Sequence, residues 1–470
     1  MISRGIVAAE KGNHASLWSF SPWRMISVCA SSLRGSRAID MAARDGELRV
    51  FAVAGEVSGD SIASRLMSSL RSLSPFPVRF AGVGGALMNK EGLKSLFPIE
   101  DISVMGLWEL LPHLNKIRKR LKETVEEAIL FQPHVVVTVD SKGFSFRFLR
   151  QLKARTTLEE SALRVHYVAP SFWAWKGGET RLKGLHEIVD HMLCILPFEE
   201  EICRANGLAA TYVGHPMLED HAHLNGGLDA AITKWKVQGN GDGFRLEHGL
   251  SPGATVITLL PGSRLQEVKR MLPIFLKTVE RLKDTFADLS TIIPIAPNHQ
   301  VEMYINSEVQ TWPVSNILVS GSSLSKKYDA FSASSAALCT SGTAVMELLL
   351  AGLPCVVAYR AHILTEWLIR YRTRLKYISL PNILLNSPII PEVLFHECTS
   401  NSLSMALSNI MLDEAARELQ QSSAAKVFEL LWPPKGDVCS SLLKEPGSSV
   451  PNCCPSMLAA STILHSVEKQ

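Results

Sequence analysis

The sequence lacks the cysteine spacings that mark disulfide-rich or metal-binding proteins. Its nine cysteines form no Cys-x-x-Cys pair and stand at no histidine–cysteine ligand spacing. Cys194 and Cys355 lie within apolar runs, where a free thiol packs as a small hydrophobic group. We therefore expect a reducing compartment, no disulfide framework, no metal site and no cofactor.

Two further absences narrow the class of protein. No apolar run reaches the roughly 18–20 residues that a membrane-spanning helix needs, so we expect a soluble or peripheral protein. The formal net charge is only +3, which predicts no nucleic-acid partner. With 46% hydrophobic and 20% charged residues, the chain has the balance of a folded globular protein rather than a disordered one.

Acidic residues are scarce in the first 39 positions. Only Glu10 opposes five basic residues there, and the segment holds eight serines without a central apolar block. This composition is typical of an organelle transit peptide, which we place at residues 1–45 and expect to be disordered; a plain disordered tail is the alternative. Because arginine outnumbers lysine, we predict a mitochondrial location, with the plastid as the alternative.

Short apolar runs alternate with helical patterns along most of the chain, as in βαβ units with parallel sheets. A loop-rich stretch near residues 222–252 separates two such series. We predict an α/β protein with two Rossmann-like doubly wound domains, 48–222 and 250–432, that face a central cleft. Beyond them we predict a low-order insertion at 434–457 and a C-terminal helix at 458–470 that packs on the first domain. The apolar runs lie at residues 48–54, 78–85, 134–140, 163–168, 255–260, 290–295, 336–339 and 355–359.

Two turns in the second series have features that suit phosphate. Pro261-Gly262-Ser263-Arg264 follows a strand and opens a helix that carries Glu267, and Arg264 offers a charge-assisted contact. Ser341-Gly342-Thr343-Ala344 likewise opens a helix, with Glu347 one turn further in and placed to accept hydrogen bonds from a ribose. The alternatives are an ordinary turn with a solvated arginine and a capped helix with a surface glutamate.

Carboxylates follow the strands of the first series. Asp140 ends a strongly apolar strand, a position that faces the cleft, and is the candidate general base. Glu56 and Asp60 compete for that role, and Ser58 and Gly59 between them help to shape the cleft wall. The alternative for Asp140 is a structural cap on the turn that follows.

Tryptophans and basic residues mark three other segments. Pro170-Ser171-Phe172-Trp173-Ala174-Trp175-Lys176 places two indoles beside a cation, which suits an acyl or sugar surface, although core packing is nearly as good an account. Residues 113–122 and 367–376 are basic with apolar interleaving, which favours contact with an anionic membrane surface; a solvated face is the alternative for each.

In order, these segments resemble the lipid-A-disaccharide synthases, which are inverting glycosyltransferases of the two-lobed GT-B fold. The resemblance runs from about Leu48 to Thr399 and does not cover residues 1–47. It is carried by the segments already quoted and by Val104-Met105-Gly106-Leu107, Leu196-Pro197-Phe198-Glu199, Gly214-His215-Pro216 and Ser379-Leu380-Pro381-Asn382.

The resemblance implies transfer of 2,3-diacylglucosamine from UDP to the 6-hydroxyl of 2,3-diacylglucosamine 1-phosphate, without a metal. The products would be a β-1,6-linked disaccharide 1-phosphate and UDP. By the same resemblance, Asp140 matches the base and Glu347 the ribose-facing acid. Ser263 and Arg264 match the nucleotide-binding turn, and Asn382 a polar residue of the cleft. A homodimer and peripheral contact with membrane lipid are further expectations.

This sequence departs from the family pattern at three places, one of which is the insertion at 434–457. After the aspartate the family usually continues Ser-Pro-Asp/Gly-Phe-Asn, whereas here Ser141-Lys142-Gly143-Phe144-Ser145 follows Asp140. Phe395 stands where a glutamine is usual. Two other readings stay open: a related UDP-sugar enzyme such as an epimerase, and a non-catalytic protein that binds a sugar nucleotide or a lipid.

Overall fold

The computed structural model describes nine stretches of the chain, and folded structure begins earlier than the sequence indicated. Helix α1 (Arg37–Asp45) lies within the segment expected to be disordered up to residue 45. It is folded because Ala38 and Ala42 are fully buried in the first-domain core. Residues 1–36 of the expected transit peptide and 434–453 of the expected insertion lie outside the described residues. Those are 37–103, 107–156, 162–222, 235–286, 288–296, 298–321, 323–361, 363–433 and 454–465.

The first domain is built on a six-stranded parallel sheet in the order β2-β1-β3-β4-β5-β6. Alternate residues of its central strands enter the cores on opposite faces, Phe51 and Val53 on one and Val50 and Ala52 on the other. Because helices cover both faces, these strands are apolar throughout. The strands are β1 Leu48–Ala54, β2 Val78–Val83, β3 Val135–Val139, β4 Leu163–Tyr167, β5 His191–Cys194 and β6 Ala210–Tyr212.

The helices of this domain connect and cover its strands. One 3-10 turn, Ser171–Ala174, follows β4 and carries Trp173. Two further 3-10 turns are Ile99–Asp101 and Leu185–Glu187. After α1, the α-helices are α2 Val57–Leu73, α3 Ala86–Lys90, α4 Leu107–Phe131, α5 Lys142–Lys153, α6 Glu179–Lys183, α7 Pro197–Ala205 and α8 Met217–Ala222.

The second domain repeats the design with a six-stranded parallel sheet in the order β12-β11-β10-β7-β8-β9. The strands are β7 Thr255–Leu260, β8 Leu289–Ile295, β9 Ser315–Ser320, β10 Ala336–Cys339, β11 Cys355–Tyr359 and β12 Glu392–Leu394. Its helices are α9 Gly241–Glu247, α10 Leu265–Leu282, α11 His299–Val309, α12 Leu324–Ser332, α13 Thr343–Ala351, α14 Ile363–Arg372, α15 Leu380–Leu385, α16 Ser400–Leu412 and α17 Glu414–Leu431. Two parallel doubly wound sheets confirm the predicted fold class.

The end of the chain returns to the first domain. Tyr212 donates a hydrogen bond from its hydroxyl to the Leu430 carbonyl at 2.6 Å, so the end of α17 contacts the strand β6 region. Helix α18 (Pro455–Leu464) then packs against α2, with Leu458 and Ile463 in the same apolar cluster as Leu66. The described residues from 37 to 465 belong to one compact unit. None of the helices in the described ranges combines the length and apolarity needed to span a bilayer.

Candidate active site

The carboxyl ends of the two sheets meet at an ion pair between the domains. Arg264, which follows β7, places a guanidinium nitrogen 3.9 Å from the carboxylate of Glu56, which follows β1. Parallel sheets bind ligands at this edge, because loops and helix N-termini converge there. The structure therefore brings together the arginine that the sequence predicted to bind the donor and a first-domain acid about 200 positions away in the chain.

Asp140 joins this group in an unusual backbone conformation. Asp140 and Ser141 have φ angles of 51° and 43°, in the left-handed region that non-glycine residues rarely adopt. The turn is held because the Asp140 N–H donates to the Tyr167 carbonyl at 3.0 Å and Ser145 donates to the Asp140 carbonyl at 2.8 Å. Strain of this kind costs about 1–3 kcal/mol per residue and concentrates at functional sites.

Gly55 makes the strained turn possible. A Cβ at residue 55 would stand 2.3 Å from the Ser141 Cβ, so only glycine lets β1 and the Asp140 turn approach so closely. This approach brings Glu56 into the electrostatic field of Asp140. Burial raises the pKa of Glu56, the nearby Asp140 charge adds to that rise, and Arg264 opposes it. The edge thus holds two interacting carboxyl groups and one cation.

Asp60 has a different position from its two competitors. It is 4% exposed, and its carboxylate accepts backbone N–H groups from Gly85, Leu87 and Met88 at 2.8–3.0 Å. These bonds fix the start of α3. Gly59 is buried against β3, whereas Ser58 lies exposed in the first turn of α2.

The turn after β7 is organised by Glu267. Gly262 has a φ of 123°, and a Cβ there would stand 2.3 Å from a Glu267 carboxylate oxygen. That oxygen accepts the Ser263 N–H at 3.3 Å. Burial raises the pKa of Glu267, while the hydrogen bond from Ser263, the charge of Arg264 and a hydrogen bond from Thr340 lower it. Glu267 therefore links this turn to the end of β10.

The second predicted phosphate turn lies beside the first, because β10 pairs with β7. Gly342 is the N-cap of α13 with a φ of 114°, and Gly342 and Thr343 are exposed while Ser341 and Ala344 are half-buried. The free N–H groups of such a helix start suit an anionic oxygen. Both turns stand at one sheet edge, as expected from the sequence.

Glu347 has a partner that the sequence did not reveal. Its carboxylate forms an ion pair with the Lys327 ammonium of α12 at 2.5 Å, and both side chains are mostly buried. The only sequence signal was a pair of adjacent lysines, Lys326 and Lys327, near the start of a helix. Such a pair is common on solvated surfaces, so it identified no partner.

Asn382 is fully buried within the second domain. Its amide nitrogen donates to the Ile390 carbonyl and to Glu392, both at 2.8 Å, and its amide oxygen accepts the Ile390 N–H at 2.9 Å. Glu392 also accepts the Ser379 hydroxyl at 2.6 Å. The Ser379-Leu380-Pro381-Asn382 segment is thereby anchored to β12, a supporting position rather than an exposed one.

The tryptophan segment connects the domains at a second place. The Lys176 N–H donates to the Arg372 carbonyl at 2.8 Å, and the Arg374 N–H donates to the Ala174 carbonyl at 2.9 Å. Trp173 packs into the apolar cluster that contains the second-domain core and donates to the buried Glu199 at 3.1 Å. No local pattern predicted this backbone pairing, because it joins residues about 200 positions apart.

The two basic segments differ in their surroundings. In residues 113–122 of α4, Lys116 and Arg120 pair with Asp101 at 2.6 and 2.7 Å, and Lys119 and Lys122 lie within 4 Å of Glu123 and Glu126. In residues 367–376, the Trp367 and Tyr371 rings stack with their centres 5.5 Å apart, and the two side chains are 63% and 62% exposed.

Across the described ranges, no group of three or more His, Cys, Asp or Glu side chains is arranged to hold a metal ion.

Known proteins resemble this chain in sequence and in fold. The lipid-A-disaccharide synthetase family matches residues 50–435. A probable mitochondrial lipid-A-disaccharide synthase of Arabidopsis thaliana is 57% identical over 92% of this chain and 94% of its own length. The lipid-A-disaccharide synthase of Rhodospirillum centenum is 42% identical over 83% and 91%.

The fold comparison agrees. A UDP-GlcNAc 2-epimerase of Neisseria meningitidis, solved with UDP-GlcNAc, superposes with a TM-score of 0.54, covering 85% of this chain and all of its own at 11% identity. That likeness identifies the two-domain GT-B arrangement alone. Because the family match extends over both domains and relatives reach 57% identity, the chain belongs to the lipid-A-disaccharide synthetase family.

Proposed function

We propose that this protein transfers 2,3-diacylglucosamine from UDP to the 6-hydroxyl of 2,3-diacylglucosamine 1-phosphate. The products are a β-1,6-linked disaccharide 1-phosphate and UDP. The observation that carries the proposal is the meeting of Glu56 and Asp140 with Arg264 at the edge shared by the two sheets. Transfer of a sugar from a nucleotide to a hydroxyl requires a carboxylate and a cation, and here they come from opposite domains.

The second domain binds the donor. Arg264 and the N–H groups at the start of α13 bind the diphosphate, because both favour anionic oxygens. Gly262, Ser263 and Ser341 to Ala344 let the phosphates approach the backbone. Glu347 accepts hydrogen bonds from the ribose, while its ion pair with Lys327 holds the carboxylate in place.

Asp140 acts as the general base. It takes the proton of the acceptor 6-hydroxyl as that oxygen attacks the anomeric carbon of the donor sugar. The bond to the UDP oxygen breaks with its electron pair on the leaving diphosphate, so the anomeric centre inverts. Arg264 and the α13 N-terminus stabilise the charge that develops there, and this is why we propose a metal-independent reaction. Glu56 orients Arg264, and Asp60 holds the neighbouring loop.

Contact with the membrane and cellular location complete the proposal. The exposed Trp367–Tyr371 stack, with Arg372 and Lys376 close by in the chain, suits the interface of an anionic bilayer. We favour this face over residues 113–122, where acidic partners already neutralise most cations. The composition of residues 1–39 and the mitochondrial designation of the Arabidopsis relative support a mitochondrial location.

We also propose that the protein is a homodimer. Light scattering at several protein concentrations tests this proposal.

Incubating the full chain with both substrates in detergent tests the activity. We expect disaccharide 1-phosphate and UDP in equal amounts, unchanged by a chelator. UDP binding without disaccharide would contradict the proposal in favour of a binding protein, and epimerised UDP-sugar would favour the related enzyme class.

A further inference from the structure

Two cations lie over one aromatic ring beside the proposed base. The Lys142 ammonium stands 5.4 Å from the centre of the Phe172 ring, and the Arg181 guanidinium carbon stands 5.7 Å from the same centre. Both distances are within the range of a cation–π contact. Phe172 is only 9% exposed. Its ring is therefore a fixed platform against which the Lys142 and Arg181 side chains both lie.

This pair sits at the acceptor side of the cleft. Lys142 begins α5 two residues after Asp140, and Phe172 lies in the 3-10 turn after the neighbouring strand β4. Arg181 belongs to α6, which follows that turn. All three residues therefore occupy the carboxyl edge of the first sheet, close to where the base meets the acceptor hydroxyl.

Lys142 and Arg181 together place two positive charges beside the ring. In the part of the chain that the structure describes, neither Lys142 nor Arg181 forms an ion pair with a carboxylate. Lys142 also occupies the first position of a helix, where the dipole disfavours a cation. Two like charges and a helix start at one place favour an anionic ligand over solvent alone.

We propose that Lys142 and Arg181 bind the phosphate monoester of the acceptor. This assignment rests on the proposed function, which supplies an acceptor that carries a 1-phosphate. Binding the phosphate here brings the acceptor sugar beside Asp140. It also gives the lysine at position 142 a role in selecting a phosphorylated acceptor over the neutral sugar.

Calorimetric binding tests the site without requiring turnover. The probe is 2,3-diacylglucosamine 1-phosphate in neutral detergent, compared with the same lipid lacking the phosphate. Wild type should bind the phosphorylated lipid at least tenfold more tightly, because hydrogen bonds to charged groups are among the strong ones. Lys142→Met and Arg181→Met should each weaken it several-fold, and the double variant should bind both lipids equally. Lys142→Arg should retain the preference.

Lys183→Met is the matched control. Lys183 is exposed on the same short helix, but two positions along it, which is about 200° around the axis from Arg181. The control should keep the wild-type preference. If the double variant still prefers the phosphorylated lipid, or if the control loses that preference equally, the site is wrong. A chain that shows the predicted binding but forms no disaccharide would support this site and contradict the proposed function.

Discussion

The Arg264 guanidinium lies 3.9 Å from the Glu56 carboxylate across the line where the two domains meet. Arg264 is 58% exposed and Glu56 only 20% exposed, so the pair is loose enough for the arginine to move onto a diphosphate. A surface pair of this geometry contributes little to stability, typically about 0–1 kcal/mol. We infer that its role is to orient Arg264 toward the donor.

Arg264→Met should raise KM for the UDP-sugar and lower kcat, because we propose that the arginine contacts the phosphates in both the ground state and the transition state. Losing one such electrostatic donor typically lowers kcat by about a hundredfold or more. Steady-state kinetics with varied donor measures both effects. Arg270→Met is the control and should leave both constants near wild type. Arg270 lies on α10, the helix that Arg264 caps, and donates to the Arg360 carbonyl.

Replacing Gly262 and Gly342 separates steric clash from backbone strain. Both have positive φ, 123° and 114°, but an added Cβ meets Glu267 at residue 262 and nothing within 4 Å at residue 342. Gly262→Ala should therefore lower the free energy of unfolding more than Gly342→Ala, which we expect to cost about 1–3 kcal/mol. Denaturant unfolding measures both. Equal losses would show that the Glu267 contact adjusts without cost.

The buried Glu199 should make stability fall as pH rises. Burial raises its pKa from 4.5 to about 7, so between these values the folded state binds a proton that the unfolded state has lost. Stability linked to this group is complete below about pH 4.5 and lost as pH rises through about 7, by on the order of 3 kcal/mol. Glu199→Gln, which keeps an acceptor for Trp173, should remove this dependence.

Exposed Glu201, on the same helix, provides the comparison. Unfolding measured from pH 4 to 8 should give parallel profiles for Glu201→Gln and wild type. The buried His166 and the half-buried His215, whose pKa values desolvation lowers to about 3 and about 4, act in the opposite direction in all three proteins, so the wild-type profile minus the Glu199→Gln profile isolates Glu199. That difference should fall as pH rises through about 7, and parallel profiles for Glu199→Gln and wild type would locate the titrating group elsewhere.

Much of the fold was predictable because its local signals agree. Apolar runs such as 48–54 and 255–260 are strands with those same bounds, since buried parallel strands are apolar throughout. Four strands were missed. β5, β6 and β12 have three or four residues each, too few to show a period. β9 has six residues, but it is polar at both ends and mostly half-buried, so it does not form an apolar run. Helix α1 was missed because its Arg-rich surroundings matched a transit peptide, while burial of Ala38 and Ala42 decides its structure.

The site was predictable only in part. Strand-end position and helix-start chemistry pointed to Asp140, Arg264 and the Ser341 turn. Lys327 and the Phe172 platform depend on contacts between distant segments, which one sequence does not encode in any local pattern. The same limit applies to Asp60, whose three backbone hydrogen bonds became visible only when β2 and α3 were placed.

The transfer rate of Asp140→Asn tests the central claim most directly. With both substrates saturating, we expect kcat to fall by about a hundredfold to ten-thousandfold, because the amide cannot take the proton of the acceptor hydroxyl. UDP binding measured by calorimetry should stay at the wild-type value. Glu56→Gln, measured beside it, should change kcat less. Wild-type turnover by Asp140→Asn, or a loss confined to Glu56→Gln, would contradict the assignment of the base.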